Sequence, residues 1–202
     1  GWNGDDDSSL SFSPINDLPR YISTSTTEGY WSFNSDLTDA SSNGLDFTAT
    51  GDATRGSAGG KMGDGVEFDG SGDFLKSSAI GSSIDITADW SMEAWINLDD
   101  AEDGTIIFIG DNDGSTGENE LSWAVNTGPS TLGGDMKICH NSCAFLDRAV
   151  TDLGATGDQM TTGGGWYHVA ITWDDSDNQL DVWMNNERIL ADNALVNFNA
   201  NP

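Results

Sequence analysis

Apolar and polar residues alternate with period two over two neighbouring stretches, and this is the clearest pattern in the chain. The stretches are Trp166-Tyr167-His168-Val169-Ala170-Ile171-Thr172-Trp173 and Gln179-Leu180-Asp181-Val182-Trp183-Met184-Asn185, separated by Asp174-Asp175-Ser176-Asp177-Asn178. Both are rich in β-branched and aromatic residues, and the segment between them holds turn formers, so the pattern predicts a β-hairpin. Alternation assigns Val169 and Ile171 to one face of the first arm and Leu180, Val182 and Met184 to one face of the second, and that face must be buried. The opposite face carries His168, Ala170, Thr172, Gln179, Asp181 and Trp183, a half-polar surface able to meet water, a ligand or a second layer.

Upstream, from Gly29 onward, short strand-like runs recur about every ten residues with Gly, Asp, Asn and Ser between them, the spacing expected of a sandwich or jelly roll. Strands are predicted at Tyr30–Phe33, Leu45–Thr50, Gly65–Phe68, Phe74–Ser78, Trp90–Leu98, Thr105–Ile109, Leu121–Asn126, Asp135–Cys139 and Phe145–Val150. The 25 glycines interrupt every longer apolar periodicity, leaving one turn near Ile80–Ile84 as the clearest helical candidate. Residues 1–28 differ in composition. They are expected to form an arm with two strand-like segments, Leu10–Phe12 and Tyr21–Thr26, ahead of one domain spanning 29–202.

The 202 residues include 34 acidic and 7 basic ones, a formal net charge of −27. That balance excludes nucleic acid as a partner, since phosphates would be repelled. Asp far outnumbers Glu, which fits Asp-rich loops around Ca²⁺ or a solvated acidic coat. No apolar run is long enough for a membrane span and no basic-plus-apolar leader precedes Gly1, so a processed form is expected. The two cysteines are spaced Cys139-His140-Asn141-Ser142-Cys143. This spacing predicts a disulfide that closes a small loop, contributes roughly 2 kcal/mol and implies an oxidising compartment. The zinc alternative, through Cys139, His140 and Cys143, lacks a clear fourth ligand.

Four motifs in order carry a family resemblance. They are Gly29-Tyr30-Trp31-Ser32-Phe33-Asn34 followed by Asp39-Ala40-Ser41-Ser42-Asn43-Gly44, then Val66-Glu67-Phe68-Asp69-Gly70-Ser71-Gly72-Asp73-Phe74-Leu75, Trp90-Ser91-Met92-Glu93-Ala94-Trp95-Ile96, and Trp166-Tyr167-His168-Val169-Ala170. Across residues 29 to about 190 the chain resembles the laminin G-like jelly rolls of the concanavalin A-like lectin and glucanase superfamily. The resemblance implies an all-β fold of two antiparallel sheets stacked face to face, often with Ca²⁺ at a loop edge, in secreted proteins that bind glycans or other proteins. Two departures stand out. Asn34 occupies a position where members carry an acidic residue, and the pattern ends at Asn185-Asn186 without the further strand that members use to complete the sandwich.

Candidate chemistry follows from these placements. Asp36, Asp39 and Asn43 share one short loop and offer oxygens to Ca²⁺, or form an Asp/Asn turn that satisfies its own backbone. Asp111 and Asp113, in Gly110-Asp111-Asn112-Asp113-Gly114, form a second candidate, for which turn chemistry is the competing account. Asp69 and Asp73 flank Gly70-Ser71-Gly72 and are expected to shape a tight hairpin. Catalysis finds little support. The superfamily's glucanases resemble each other in a Glu-x-Asp-x-x-Glu run, but Gly72 stands in the third position after Glu67-Phe68-Asp69. With His140 and His168 as the only histidines, a Ser-His-Asp constellation has little to draw on. Trp183 beside Gln179 and Asp181, Trp95 beside Glu93 and Asn97, and Trp123 combine aromatic faces with polar neighbours as a glycan site would. The competing account packs these tryptophans under a loop or the arm.

The function expected is therefore a non-enzymatic extracellular or cell-surface module for adhesion or carbohydrate recognition, supported by Ca²⁺. Its partners would be a glycan or a cell-surface protein. Two alternatives stand beside it. One is a subunit of a surface appendage, joined to copies of itself when the arm adds a strand to a neighbour's sheet; the other is a glycoside-cleaving enzyme.

Overall fold

The computed structural model describes residues 27–56, 59–77, 88–99, 104–109, 121–126, 135–140 and 165–192. The expected strand Phe145–Val150, the helical turn near Ile80–Ile84 and residues 1–26 of the arm lie outside the described residues. Among the described residues there is no helix, and none is long and apolar enough to cross a membrane. All strand pairings are antiparallel. The chain divides into two compact units, one of residues 1–68 and 74–77, the other of residues 69–73 and 78–202.

The first unit holds two short pairs: β1 (Thr48–Thr50) with β4 (Phe74–Lys76), and β2 (Thr54–Arg55) with β3 (Val66–Glu67). Tyr30–Phe33, expected as a strand, is irregular. Phe33 adopts φ +58°, a left-handed conformation that an extended run cannot contain. Polar contacts hold it there, because Arg55 Nη1 donates to the carbonyls of Phe33 (3.4 Å) and Asn34 (3.2 Å) and pairs with Asp64 at 2.9 Å. Asn34 Oδ1 in turn accepts from Asp64 N at 3.1 Å. Gly63, at φ +84°, passes so close that a Cβ there would collide with Asn34 Oδ1. Asn34 is thus a neutral clamp on the 59–65 turn. Trp31 closes over Leu45, which is fully buried: its indole N–H donates to the Leu45 carbonyl at 2.9 Å and its ring lies 4.4 Å from that of Phe47.

The second unit contains a four-stranded sheet in the order β11 (Glu187–Asp192), β10 (Gln179–Met184), β9 (Trp166–Asp174) and β5 (Trp90–Asn97). It also contains a three-stranded sheet of β6 (Gly104–Ile109), β7 (Leu121–Asn126) and β8 (Asp135–His140). The hairpin forms as the alternation requires, with Leu180 opposite Trp173, Val182 opposite Ile171 and Met184 opposite Val169. All six side chains are buried. β5 continues these rows, placing Trp90, Met92 and Ala94 opposite Trp173, Ile171 and Val169. In the other sheet Ile109 and Leu121 face each other across β6 and β7 and are both buried. Each large apolar side chain removed from water on these faces contributes about 1.5–3 kcal/mol, which makes them the fold's main stabilising element.

The chain does not end its sheet at the hairpin. Asn185 and Asn186 adopt φ +49° and +71°, the two positive values of a type I′ turn, and return the chain as β11, a strand that the hydrophobic pattern left unassigned. Asn185 also lengthens the ladder: its Oδ1 accepts from His168 N (3.1 Å) and its N–H donates to the His168 carbonyl (2.8 Å).

Two stability measurements check this account. Ile171→Ala should lower stability by about 2–5 kcal/mol, whereas Thr172→Ala, one residue on but on the opposite face, should change it by less than about 1 kcal/mol in denaturant melts. At the turn, Asn186→Gly should be neutral or slightly stabilising, while Asn186→Val should cost about 1–2 kcal/mol because a β-branched side chain resists the left-handed backbone.

Candidate functional site

Residues opposite one another in a sheet share a face, so the pairings that bury one side of the four-stranded sheet also compose the other. On that open side Trp95 lies opposite His168, Glu93 opposite Ala170, and Ala170 opposite Trp183, which in turn faces Arg188. One row further, Ser91 lies opposite Thr172 and Thr172 opposite Asp181. Trp95 and Trp183, two of the tryptophans expected to stack on a sugar, are therefore on one face. They stand two strands and one row apart, about 12 Å between Cα atoms from strand spacing and rise. Trp95 is 39% exposed and Trp183 is half-buried.

Arg188 reaches this face through an irregularity. The β10–β11 register shifts between Val182 and Trp183, so Leu190 stands opposite Val182 and Arg188 opposite Trp183, with Ile189 as the extra residue. Without that bulge Ile189 would take the position beside Trp183. Arg188 Nη1 lies 3.4 Å from Asp181 Oδ2, and Gln179 Nε2 donates to Asp181 Oδ1 at 2.7 Å. Gln179 and Asp181 form one polar group, both lining an open cleft of about 330 Å³ with Asp89, Thr172, Trp173 and Asp174. At its rim Asp89 Oδ1 accepts from Asp175 N (2.8 Å), and Asp174 Oδ1 accepts from Ser176 Oγ (2.8 Å) and Asp177 N (3.1 Å). The Ser176 hydroxyl, then the Asp177 and Ser176 amides, hold the Asp174 carboxyl below its ordinary value against a smaller opposing effect of desolvation. At the other end His168 Nε2 is 3.4 Å from Glu93 Oε2, and the His168 ring is 5.0 Å from the Trp95 ring at 47°.

The loop proposed for Ca²⁺ is organised around its own backbone. Asp39 is buried and accepts four hydrogen bonds, from Tyr30 N (2.9 Å) and Ser41 N (2.8 Å) at Oδ1 and from Ser41 Oγ (2.6 Å) and Leu45 N (3.0 Å) at Oδ2. Asp36 Oδ1 accepts from the Thr38 amide and hydroxyl, and Asn43 Nδ2 donates to the Glu28 carbonyl and to Glu28 Oε2. Asp39 therefore does not fit a metal ligand, since an ion would have to displace backbone donors from a buried carboxylate. Burial pushes the Asp39 carboxyl up, but the bonds from Ser41, Tyr30 and Leu45 outweigh it and the net shift is downward from 3.8. Asp111, Asp113 and Cys143 lie outside the described residues, and Cys139 is described only as a β8 position opposite Ser122.

A carboxylate whose folded pKa is lowered stabilises the fold above its unfolded pKa of about 3.9, and this contribution is lost as pH falls through the folded value. Asp39→Asn should thus lower stability at pH 7, on the order of 2–3 kcal/mol for the stranded donors, and should flatten the acid limb of a stability–pH profile below about pH 4. Any rise in melting temperature caused by Ca²⁺ should be the same size in Asp39→Asn as in the native protein. A rise that vanishes in the variant would make Asp39 a ligand.

Comparison with known proteins adds one match. No curated protein and no solved structure matches the chain. The family model that does match, a laminin G-type model, covers residues 69–195, more than half of the chain, and so includes β5, the hairpin and the open face formed on them. The all-β antiparallel architecture is that of the jelly-roll sandwich this family forms, and the chain belongs to the concanavalin A-like lectin/glucanases superfamily.

Proposed function

We propose that this protein is a non-catalytic carbohydrate-recognition module of an extracellular or cell-surface adhesion protein, and that the open face of the β5–β9–β10–β11 sheet is its sugar-binding surface. The observation that carries this reading is the pairing of an exposed Trp95 with Trp183 on one sheet face, beside the Gln179–Asp181–Arg188 group. Sugar rings present apolar C–H faces to aromatic rings while their hydroxyls require hydrogen-bonding partners, and this face offers both. A spacing of about 12 Å between the two Cα positions suits a short oligosaccharide rather than a single ring. Family membership supports a carbohydrate-binding or adhesion-type module of this kind.

Binding rather than cleavage is favoured by how the carboxylates are used. Asp181 is engaged by Gln179 and Arg188, and Glu93 lies beside His168 two strands away. Their backbones are about 12 Å apart by strand geometry, and each carboxylate already has a neighbouring side chain at 2.7–3.4 Å.

A glycan array followed by calorimetry on the bound sugars tests this. Trp95→Ala and Trp183→Ala should each weaken binding on the order of tenfold, as expected when an aromatic anchor is removed. Trp95→Ala should leave the melting temperature within a few degrees of native, since its ring is partly in solvent. Bound sugars should be recovered intact. An array with no bound glycan, or binding that survives both substitutions, would overturn the assignment.

A further inference from the structure

On the open face His168 touches both an aromatic ring and a carboxylate of that face. Its Nε2 is 3.4 Å from Glu93 Oε2 and its ring is 5.0 Å from Trp95, within the range over which a cation is attracted to an indole. Its backbone is fixed from the β10 side, because Asn185 bonds both the His168 amide and its carbonyl. The imidazole thus stands beside both an exposed indole and an exposed carboxylate of β5. We propose that His168 is a protonation-dependent brace for Trp95, so that the sugar platform is ordered when His168 carries a proton and loosened when it does not.

The physical argument runs through two attractions that only the cation possesses. Imidazolium gains an ion pair with Glu93 and a cation–π contact with Trp95; neutral imidazole keeps only packing. The other charged groups on this face are Asp181 of β10, Arg188 of β11 and, toward the far end, Asp174 of β9 and Asp89 ahead of β5. Arg188 is paired with Asp181, Asp174 is bonded by its own turn and Asp89 by Asp175. Glu93 is therefore the charge that acts on His168 at contact distance. Between pH 7.5 and 5.5 an imidazole takes up its proton while a carboxylate stays ionised, so acidification switches both attractions on. A braced Trp95 has less side-chain freedom to lose when a sugar stacks on it. Ordering one such side chain changes affinity by roughly two- to tenfold, so binding should tighten by that factor at the lower pH. This consequence for affinity rests on the sugar-binding reading above; the brace itself does not.

The first experiment needs no sugar. Trp95 emission, taken as the difference between native protein and Trp95→Phe, is followed from pH 8 to 5. Protonated imidazole quenches an indole it touches, so the Trp95 signal should fall as pH drops and acrylamide should reach the ring less readily. His168→Gln should abolish the titration while keeping the native melting temperature within a few degrees. Glu93→Gln should weaken the pH-dependent fall in acrylamide access, because the ion pair that holds the cation beside Trp95 is gone. Trp95 emission that is flat across this range, or that titrates unchanged in His168→Gln, would overturn the proposal, and so would acrylamide access that does not fall with pH, because a histidine that only touches the indole quenches it on protonation without ordering it. The glycan array repeated at pH 7.5 and 5.5 reads the consequence: tighter binding at pH 5.5 in the native protein and none of that gain in His168→Gln. Equal binding at both pH values overturns the coupling to affinity. An array blank at both refutes the sugar-binding reading and leaves the brace to stand or fall on the emission titration.

Discussion

Burial of one face of the four-stranded sheet is the constraint from which the rest follows. Side chains alternate strictly across a pleated backbone, so fixing Val169, Ile171 and Trp173 of β9 and Leu180, Val182 and Met184 of β10 away from water also fixes which residues face outward. A slip of one residue would exchange the two sets and expose six large apolar groups, which makes the register expensive to change. The backbone of the open face is fixed for the same reason. The Cα positions of Trp95, His168, Trp183 and Asp181 are held at their separations by a core they do not belong to, as positions on paired strands keep their geometry better than positions on loops.

A second device recurs along the chain and accounts for part of its excess of Asp. Asp36, Asp39, Asp69 and Asp174 each accept a hydrogen bond from a Thr or Ser two residues later: the Thr38 amide and hydroxyl, the Ser41 amide and hydroxyl, the Ser71 amide and the Ser176 hydroxyl. The Asp side chain is short enough to reach its own backbone at that spacing, which Glu does less well. In a fold of short strands joined by many turns, such carboxylates supply acceptors that the irregular backbone otherwise lacks. Asp39 takes this furthest, with four donors on one buried group that joins Tyr30, Ser41 and Leu45.

The open face combines these two elements. Its aromatic part comes from the sheet, and its polar part comes from strand positions and turns whose carboxylates are already oriented by neighbouring donors. Groups held this way have little side-chain freedom left to lose. Trp95 is the more exposed of the two indoles, and His168 with Glu93 stands beside its ring.

Sequence alone determined what depends on local period. The hairpin, the inward and outward residues of β9 and β10, β7 at Leu121–Asn126 and the all-β class follow from alternation and turn chemistry, because strand faces are a property of neighbours two residues apart. β11 was also legible in principle from Asn185-Asn186, a type I′ turn pair after an alternating run, though Glu187–Asp192 lacks the apolar density that marks a strand. What separated residues do to one another was not legible. No local pattern gives the bulge that brings Arg188 rather than Ile189 beside Trp183, the meeting of His168 with Glu93 and Trp95 across β5 and β9, or the left-handed Phe33 that breaks the Tyr30–Phe33 strand. The Asp36–Asn43 loop marks the boundary. Its residue types fit an ion or a turn equally well, and only the tertiary position of Tyr30 and Leu45, whose amides occupy Asp39, commits that carboxylate to the turn.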